Sequence, residues 1–301
     1  MIKSLVLLLL AAWCSGSSGA VSFASAHVVV IDESTGDVLL EKDAATAAPI
    51  ASLTKLMTAM VVLDAQQDPG ETIRIDVEDM DWIKFTRAGV PVGAVVSRDS
   101  LLKLALIASD NHAAFALARN YPGGLDGFTI AMQRKIEALG LESTVLEEPT
   151  GLSPRNHSTA RDMAKVLQAT STYPLIAEIT SQRAHSVVIN GRRWAVRNTN
   201  GLVGAPGWEI LASKTGFTNA AGRCLTMRVR ASGRTVLVVL IGAVASSARS
   251  LDALNIRRWL AGKPPMLLAA AKTVRRARAA NRKVSTAQVV ADRSGARQVA
   301  L

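Results

Sequence analysis

The chain is expected to fold as an α+β protein. Strand patterns stand near both ends, helical patterns fill the middle, and alternating strand-helix-strand units are missing. An antiparallel sheet completed by an N-terminal hairpin, with a helical region packed against it, satisfies these observations together.

Taken in order, residues 1–26 carry Lys3, an apolar run from Leu5 to Trp13, a Ser/Gly stretch and Ala24-Ser25-Ala26. That is the pattern of a cleaved signal peptide, since the apolar run is too short to span a bilayer. Bulky Trp13 before Cys14 argues against a lipid-attachment site. The mature chain then begins near His27, is exported to the periplasm or cell envelope, and keeps Cys224 as its one cysteine, so no internal disulfide forms. Residues 28–31 and 38–40 flank the turn-rich stretch 32–37 and read as a hairpin. Residues 53–63 combine good helix formers with apolar helical spacing, which places Ser52 at a helix N-terminus. Residues 101–120 read as an apolar helix interrupted near 109–111 and stopped by Tyr121-Pro122-Gly123-Gly124. Further helices are expected over 128–139 and 159–170, the latter capped by Ser158 or Thr159. The pattern then changes to strands over 187–189, 208–213, 224–230 and 235–241, with Ser232-Gly233 turning between the last two. A final helix over 247–260 ends before Gly262-Lys263-Pro264-Pro265.

Charge divides the chain differently. Of a net +11, the segment 263–301 contributes +8, with nine Lys or Arg against Asp292 alone. The domain therefore runs over 27–262, followed by a basic C-terminal tail at 263–301. The tail is a solvated extension or one that adheres to anionic envelope polymers or a membrane surface. Nucleic acid is disfavoured as a partner, because the tail lacks aromatics and the chain carries an export signal.

Three short motifs carry the chemistry: Ser52-Leu53-Thr54-Lys55, Ser109-Asp110-Asn111 and Lys214-Thr215-Gly216. A serine hydroxyl needs a base, and Lys55 stands one helical turn from Ser52 on the same face. Neutral Lys55 is able to take the Ser52 proton, and a second cation such as Lys214 nearby would favour that neutral form. Ser109 is placed to relay a proton to a leaving amine, and the Asn111 amide to orient a substrate backbone. Lys214 and Thr215 suit a substrate carboxylate, while Gly216 lets a substrate approach the strand edge. A second tetrad, Ser100-Leu101-Leu102-Lys103, reads as the capped start of an apolar helix with Asp99 or Ser100 as the cap. Asp110 is expected to bond nearby backbone. His27, His112, His157 and His185 show no metal-ligand spacing, so no metal or cofactor is expected. Cys224 reads as a small buried hydrophobe.

With Pro49-Ile50-Ala51 before the first motif, Pro149-Thr150-Gly151-Leu152, Asn156 and Ser158-Thr159-Ala160 in the middle, and Gly222-Arg223-Cys224-Leu225 after the last, residues 27–261 resemble low-molecular-mass penicillin-binding proteins, the D-alanyl-D-alanine carboxypeptidase or peptidase S11 family. The stretches 79–81 to 91–93 and 120–124 resemble its D-alanyl-D-alanine endopeptidase branch, the penicillin-binding protein 7 type. The resemblance implies a β-lactamase/transpeptidase-like fold and a Ser52 acyl-enzyme. It also implies oxyanion donors at the backbone N–H groups of Ser52 and Phe217, peptidoglycan stem peptides or crosslinks as substrate, and β-lactams as covalent inhibitors. A serine β-lactamase is the rival enzyme and a non-catalytic wall-binding protein the rival of another class. The class A word E-x-x-L-N is not completed, because Leu251 stands where its Glu would precede Leu254-Asn255.

Overall fold

The computed structural model describes residues 21–80 and 89–266. The first apolar run becomes β1 (His27–Asp32), which pairs antiparallel with β2 (Val38–Lys42) across a turn tied by Asp32, whose carboxylate accepts from the Ser34 amide at 3.0 Å. The C-terminal strands β9 (Glu209–Thr218), β10 (Gly222–Ala231) and β11 (Arg234–Ala243) complete one sheet in the order β2-β1-β11-β10-β9. The N-terminal hairpin thus closes a C-terminal meander, as the sequence led one to expect. Ser232 (φ +49°) and Gly233 (φ +79°) turn β10 into β11, both in the left-handed region that a two-residue hairpin of this hand requires.

Both faces of this sheet are covered, which explains why β11 reads as a continuous apolar run rather than an alternating one. Val236, Val238 and Leu240 share one cluster with Val28, Val30 and α7 (Ser246–Leu260), whereas Val29, Val239 and Ile241 belong to the helical side. The α7 face also holds residues preceding β1: Phe23 packs there, and the Ala24 and Ser25 amides donate to the buried Asp252 carboxylate at 3.0 and 2.7 Å.

On the other face, a 3-10 turn at Ala51–Leu53 leads into α1 (Thr54–Asp64), every residue of which is buried from Thr54 to Val62. A helix apolar on all sides has to sit inside, and α1 does, among α2 (Arg98–Lys103), α3 (Asn111–Arg119), α4 (Gly124–Ala138), α5 (Ala160–Ala169) and α6 (Pro174–Ser181). The break expected near 109–111 falls at Ser109 and Asp110, which leave the helical conformation after a π-helical turn at Leu104–Ala108 that continues α2. Two short strands, β3 (Ala48–Pro49) and β6 (His157–Ser158), pair with one another. The strands β4 (Thr72–Arg74), β5 (Val95–Ser97), β7 (Ala184–Ile189) and β8 (Arg192–Arg197) make a second sheet in that order.

Two expectations are corrected. The cap of α2 is Ser97, whose hydroxyl accepts from the Ser100 amide at 3.2 Å; Ser97 ends β5 with the extended backbone a cap needs, while Asp99 lies inside the helix and pairs with Lys103 at 2.7 Å. The strand expected over 208–213 runs on to Thr218, because Lys214-Thr215-Gly216 continues the ladder with β10. Of the second sheet only residues 187–189, within β7, were expected as strand; β4, β5, β8 and α6 were not read from the pattern. Residues 1–20 of the expected signal segment and the tail beyond Met266 lie outside the described residues, whereas residues 21–26 are described and lie against α7.

Candidate active site

Ser52 stands in the 3-10 turn before α1, and that turn is held from three sides. The Ile50 amide donates to the Asn156 carbonyl at 3.2 Å, and the Thr54 hydroxyl returns to the Ala51 carbonyl at 2.9 Å. Ala51 itself takes φ +50°, a left-handed backbone that costs a non-glycine residue about 1–3 kcal/mol and persists only where its surroundings enforce it. Two glycines make the enforcement possible. A Cβ on Gly151 would lie 1.9 Å from the Ala51 carbonyl oxygen, and one on Gly216 3.0 Å from the Ile50 oxygen. Gly216 therefore brings β9 against the turn that carries Ser52, in addition to the open strand edge expected of it.

Lys55 is 1% exposed, and its Nζ donates to three acceptors: Ser52 Oγ at 3.1 Å, Asn111 Oδ1 at 2.7 Å and the Thr150 carbonyl at 2.7 Å. The same-face spacing of Ser52 and Lys55 is thus a hydrogen bond. The Thr150 carbonyl is aimed by Glu148, whose carboxylate accepts from the Thr150 and Gly151 amides at 2.7 and 2.6 Å. Asn111 opens α3, and the Asp110 carboxylate before it caps that helix through the Ala113 amide at 2.9 Å, bonding backbone as expected. Burial raises the Asp110 pKa against the pull of those amides.

Ser109 takes φ +63° at the end of the π turn, which points its hydroxyl out of the helical path to accept from Lys214 Nζ at 2.8 Å. Lys214 is 1% exposed and also donates to the Thr215 carbonyl at 3.1 Å. Burial first, then the charges of Lys55 and Arg249, hold its pKa well below the ordinary 10.5. The Thr215 hydroxyl donates to Thr199 Oγ1 at 2.6 Å.

Ser52, Ser109, Asn111, Thr215, Gly216 and Phe217 line one open cavity of about 530 Å³. The three motifs, separated by more than 160 residues of chain, therefore meet in a single cleft, with Lys55 and Lys214 buried beneath it. Arg223 stacks its guanidinium 3.5 Å from the centre of the Phe217 ring at the cleft margin. The cleft also contains a residue the sequence reading passed over. Arg249, on α7, lines it with only 9% exposure and donates through Nη1 to the Cys224 carbonyl at 2.9 Å. Its signal was weak, since an arginine in a helix is ordinarily a surface residue. Glu148 was missed as well, because a carboxylate in a loop is ordinarily a solvated surface group.

The remaining expectations take ordinary places. Lys103 of the second S-x-x-K tetrad pairs with Asp99, not with Ser100. His112 Nδ1 meets the Val90 carbonyl at 2.8 Å, away from the cleft lining. Cys224 is wholly buried, and burial pushes its thiol up to about 11. Asn255 on α7 bonds the Met266 carbonyl at 3.1 Å.

The family model for the D-alanyl-D-alanine carboxypeptidases, Peptidase S11, matches residues 15–245. The chain belongs to this family. Among its relatives, a D-alanyl-D-alanine endopeptidase of Pseudomonas aeruginosa is 41% identical over 84% of this chain and 82% of its own. A D-alanyl-D-alanine endopeptidase of Escherichia coli is 39% identical over 85% and 84%. The Streptomyces K15 DD-transpeptidase structure aligns with a TM-score of 0.74 at 26% identity, covering 80% of this chain and 98% of that one. The family reading and the β-lactamase/transpeptidase-like fold expected from the motifs both hold, and so does the reading of a serine-type DD-peptidase acting on peptidoglycan.

Proposed function

We propose that this S11 peptidase cleaves D-alanyl bonds of peptidoglycan crosslinks and stem peptides through an acyl-enzyme on Ser52. The observation that carries the assignment is the bond from Lys55 Nζ to Ser52 Oγ within a cleft that also gathers Ser109, Asn111 and Lys214. Three acceptors match the three N–H bonds of an ammonium. Loss of one proton turns a lone pair of Lys55 toward Ser52, which then attacks the D-alanyl carbonyl carbon as its own proton passes to Lys55. The oxyanion forms against the backbone N–H groups of Ser52 and Phe217. Ser109 passes its hydroxyl proton to the leaving amine and regains one from Lys214 Nζ, which is bonded to it, and Asn111 holds the substrate amide. Lys214, Thr215 and Arg249 present two cations and a hydroxyl to a carboxylate on the substrate. Water then hydrolyses the acyl-enzyme, and β-lactams trap it.

The relatives bearing the endopeptidase name support crosslink cleavage, and those bearing the carboxypeptidase name support release of terminal D-alanine. Purified crosslinked muropeptides incubated with the enzyme should yield monomers, and Ser52→Ala or Lys55→Ala should lower that rate by at least about 10³-fold. Cleavage by Ser52→Ala at the normal rate would refute the assignment.

Export to the periplasm or envelope fits an enzyme with this substrate and the signal-like N-terminus. Among the described residues no helix is long and apolar enough to cross a membrane. The basic tail is assigned to adhesion on anionic envelope polymers or lipid headgroups. Raising salt from 0.05 to 0.5 M, about a threefold shortening of the Debye length, should release the full chain from isolated envelopes, and salt-insensitive retention contradicts the assignment.

A further inference from the structure

Beside the catalytic cleft lies a second groove of about 670 Å³, floored by Leu104 and Ala108 of the π turn and walled by residues 89–91 on one side and the β7–β8 hairpin on the other. We propose that it binds the peptide on the leaving-amine side of the scissile bond: a second, acidic stem peptide of a crosslink. This rests on the peptidase reading above and deepens it.

Position is the first argument. Ala108 lines both cavities, and Ser109, the group assigned to protonate the leaving amine, follows it directly. A chain attached to that amine leaves the cleft at Ser109 and enters this groove. A free D-alanine leaving group is too short to reach it.

The walls are built rather than incidental. The Val90 amide donates to Asp110 at 2.9 Å and the Val90 carbonyl meets His112 at 2.8 Å, so the S-D-N segment that shapes the cleft also fixes one wall. The hairpin tip is fastened to β5 by two bonds, Asn190 N–H to the Val95 carbonyl at 3.0 Å and Val95 N–H to Asn190 Oδ1 at 2.8 Å.

Chemistry is the third argument. Trp194 stands in the groove 55% exposed, an unusual cost for a large aromatic on a strand with no covering element. Arg192 beside it is exposed and forms no ion pair with a described residue. Residues 184–197 contain no Asp or Glu, and the carboxylate that does line the groove, Asp110, is buried and already accepts from the Val90 and Ala113 amides. An indole face next to the Arg192 guanidinium suits a peptide with aliphatic stems and free carboxylates, which is the composition of a stem peptide.

The test compares wild type with Trp194→Ala and Arg192→Ala on a purified crosslinked muropeptide dimer, with benzylpenicillin acylation of Ser52 as the reference reaction. Both substitutions fall at exposed positions, and circular dichroism checks folding. The ratio of dimer kcat/KM to acylation rate should fall about tenfold for Trp194→Ala and several-fold for Arg192→Ala, the latter loss shrinking at high salt. An unaltered ratio in both variants overturns the proposal. So does competition by peptide-free glycan strands in place of acidic peptide, which would make Trp194 a sugar platform. A wild type that neither acylates nor cleaves refutes the peptidase reading instead, so the two failures are told apart.

Discussion

Lys214 shows how a single side chain ties stability to chemistry. Its ammonium is buried next to Lys55 and Arg249, so its folded pKa lies well below 10.5 while the unfolded chain keeps the ordinary value. Between those two values the unfolded state binds more protons than the folded one, and stability attributable to this group rises with pH across that window. Below the folded pKa both states are protonated and the burial cost is present in full. The unfolding free energy of wild type minus that of Lys214→Met, measured by denaturant at a series of pH values, should therefore increase toward pH 10.5. A flat or falling difference contradicts the buried-cation account. Ser52, Lys55, Ser109, Asn111, Lys214 and Thr215 were legible as residues because their order along the chain is specific. Glu148 and Arg249 were not, because their importance comes from where Thr150 and the cleft happen to lie in space, and no spacing in the sequence encodes that.

At the level of elements, the site is made by backbones that approach closely. The Ala51 turn, the loop at Gly151 and the strand at Gly216 meet within contact distance, and each glycine is required by a neighbour's carbonyl oxygen. Gly151 carries the sharper constraint, since it also takes φ +82°. Gly151→Ala should cost on the order of 2–3 kcal/mol in denaturant unfolding and slow β-lactam acylation, because the Thr150 carbonyl bonded to Lys55 moves with it. Wild-type stability together with wild-type acylation would show that the loop yields at no cost. The long apolar strands and the helices with strong periodicity were readable from the chain. Of the second sheet only part of β7 was: β4 and β5 are three residues each, and β8 shows five exposed positions of six, so neither length nor alternation marks them. Helix α6 begins at Pro174 after a run of Ser and Thr that reads as loop, and its burial under β9 is a tertiary effect.

Across the whole molecule, a sheet faced by α7 on one side and by helices on the other brings three distant motifs together. The first motif lies on the helix that the core surrounds, the second at a break between helices, and the third on the exposed edge of the sheet, which leaves the cleft open along β9. Rigid surroundings hold Ala51 and Ser109 in strained backbone conformations, and that strain fixes Ser52 and Ser109, the proposed nucleophile and proton relay, before any substrate arrives. The account's central claim is that Ser52 is the group acylated. Intact mass spectrometry after incubation with benzylpenicillin, on wild type and on Ser52→Ala side by side, tests it most directly. The account predicts one persistent adduct of the mass of the whole drug on wild type and none on the variant; an adduct retained by Ser52→Ala, or penicillin consumed by wild type with no adduct left behind, would contradict it.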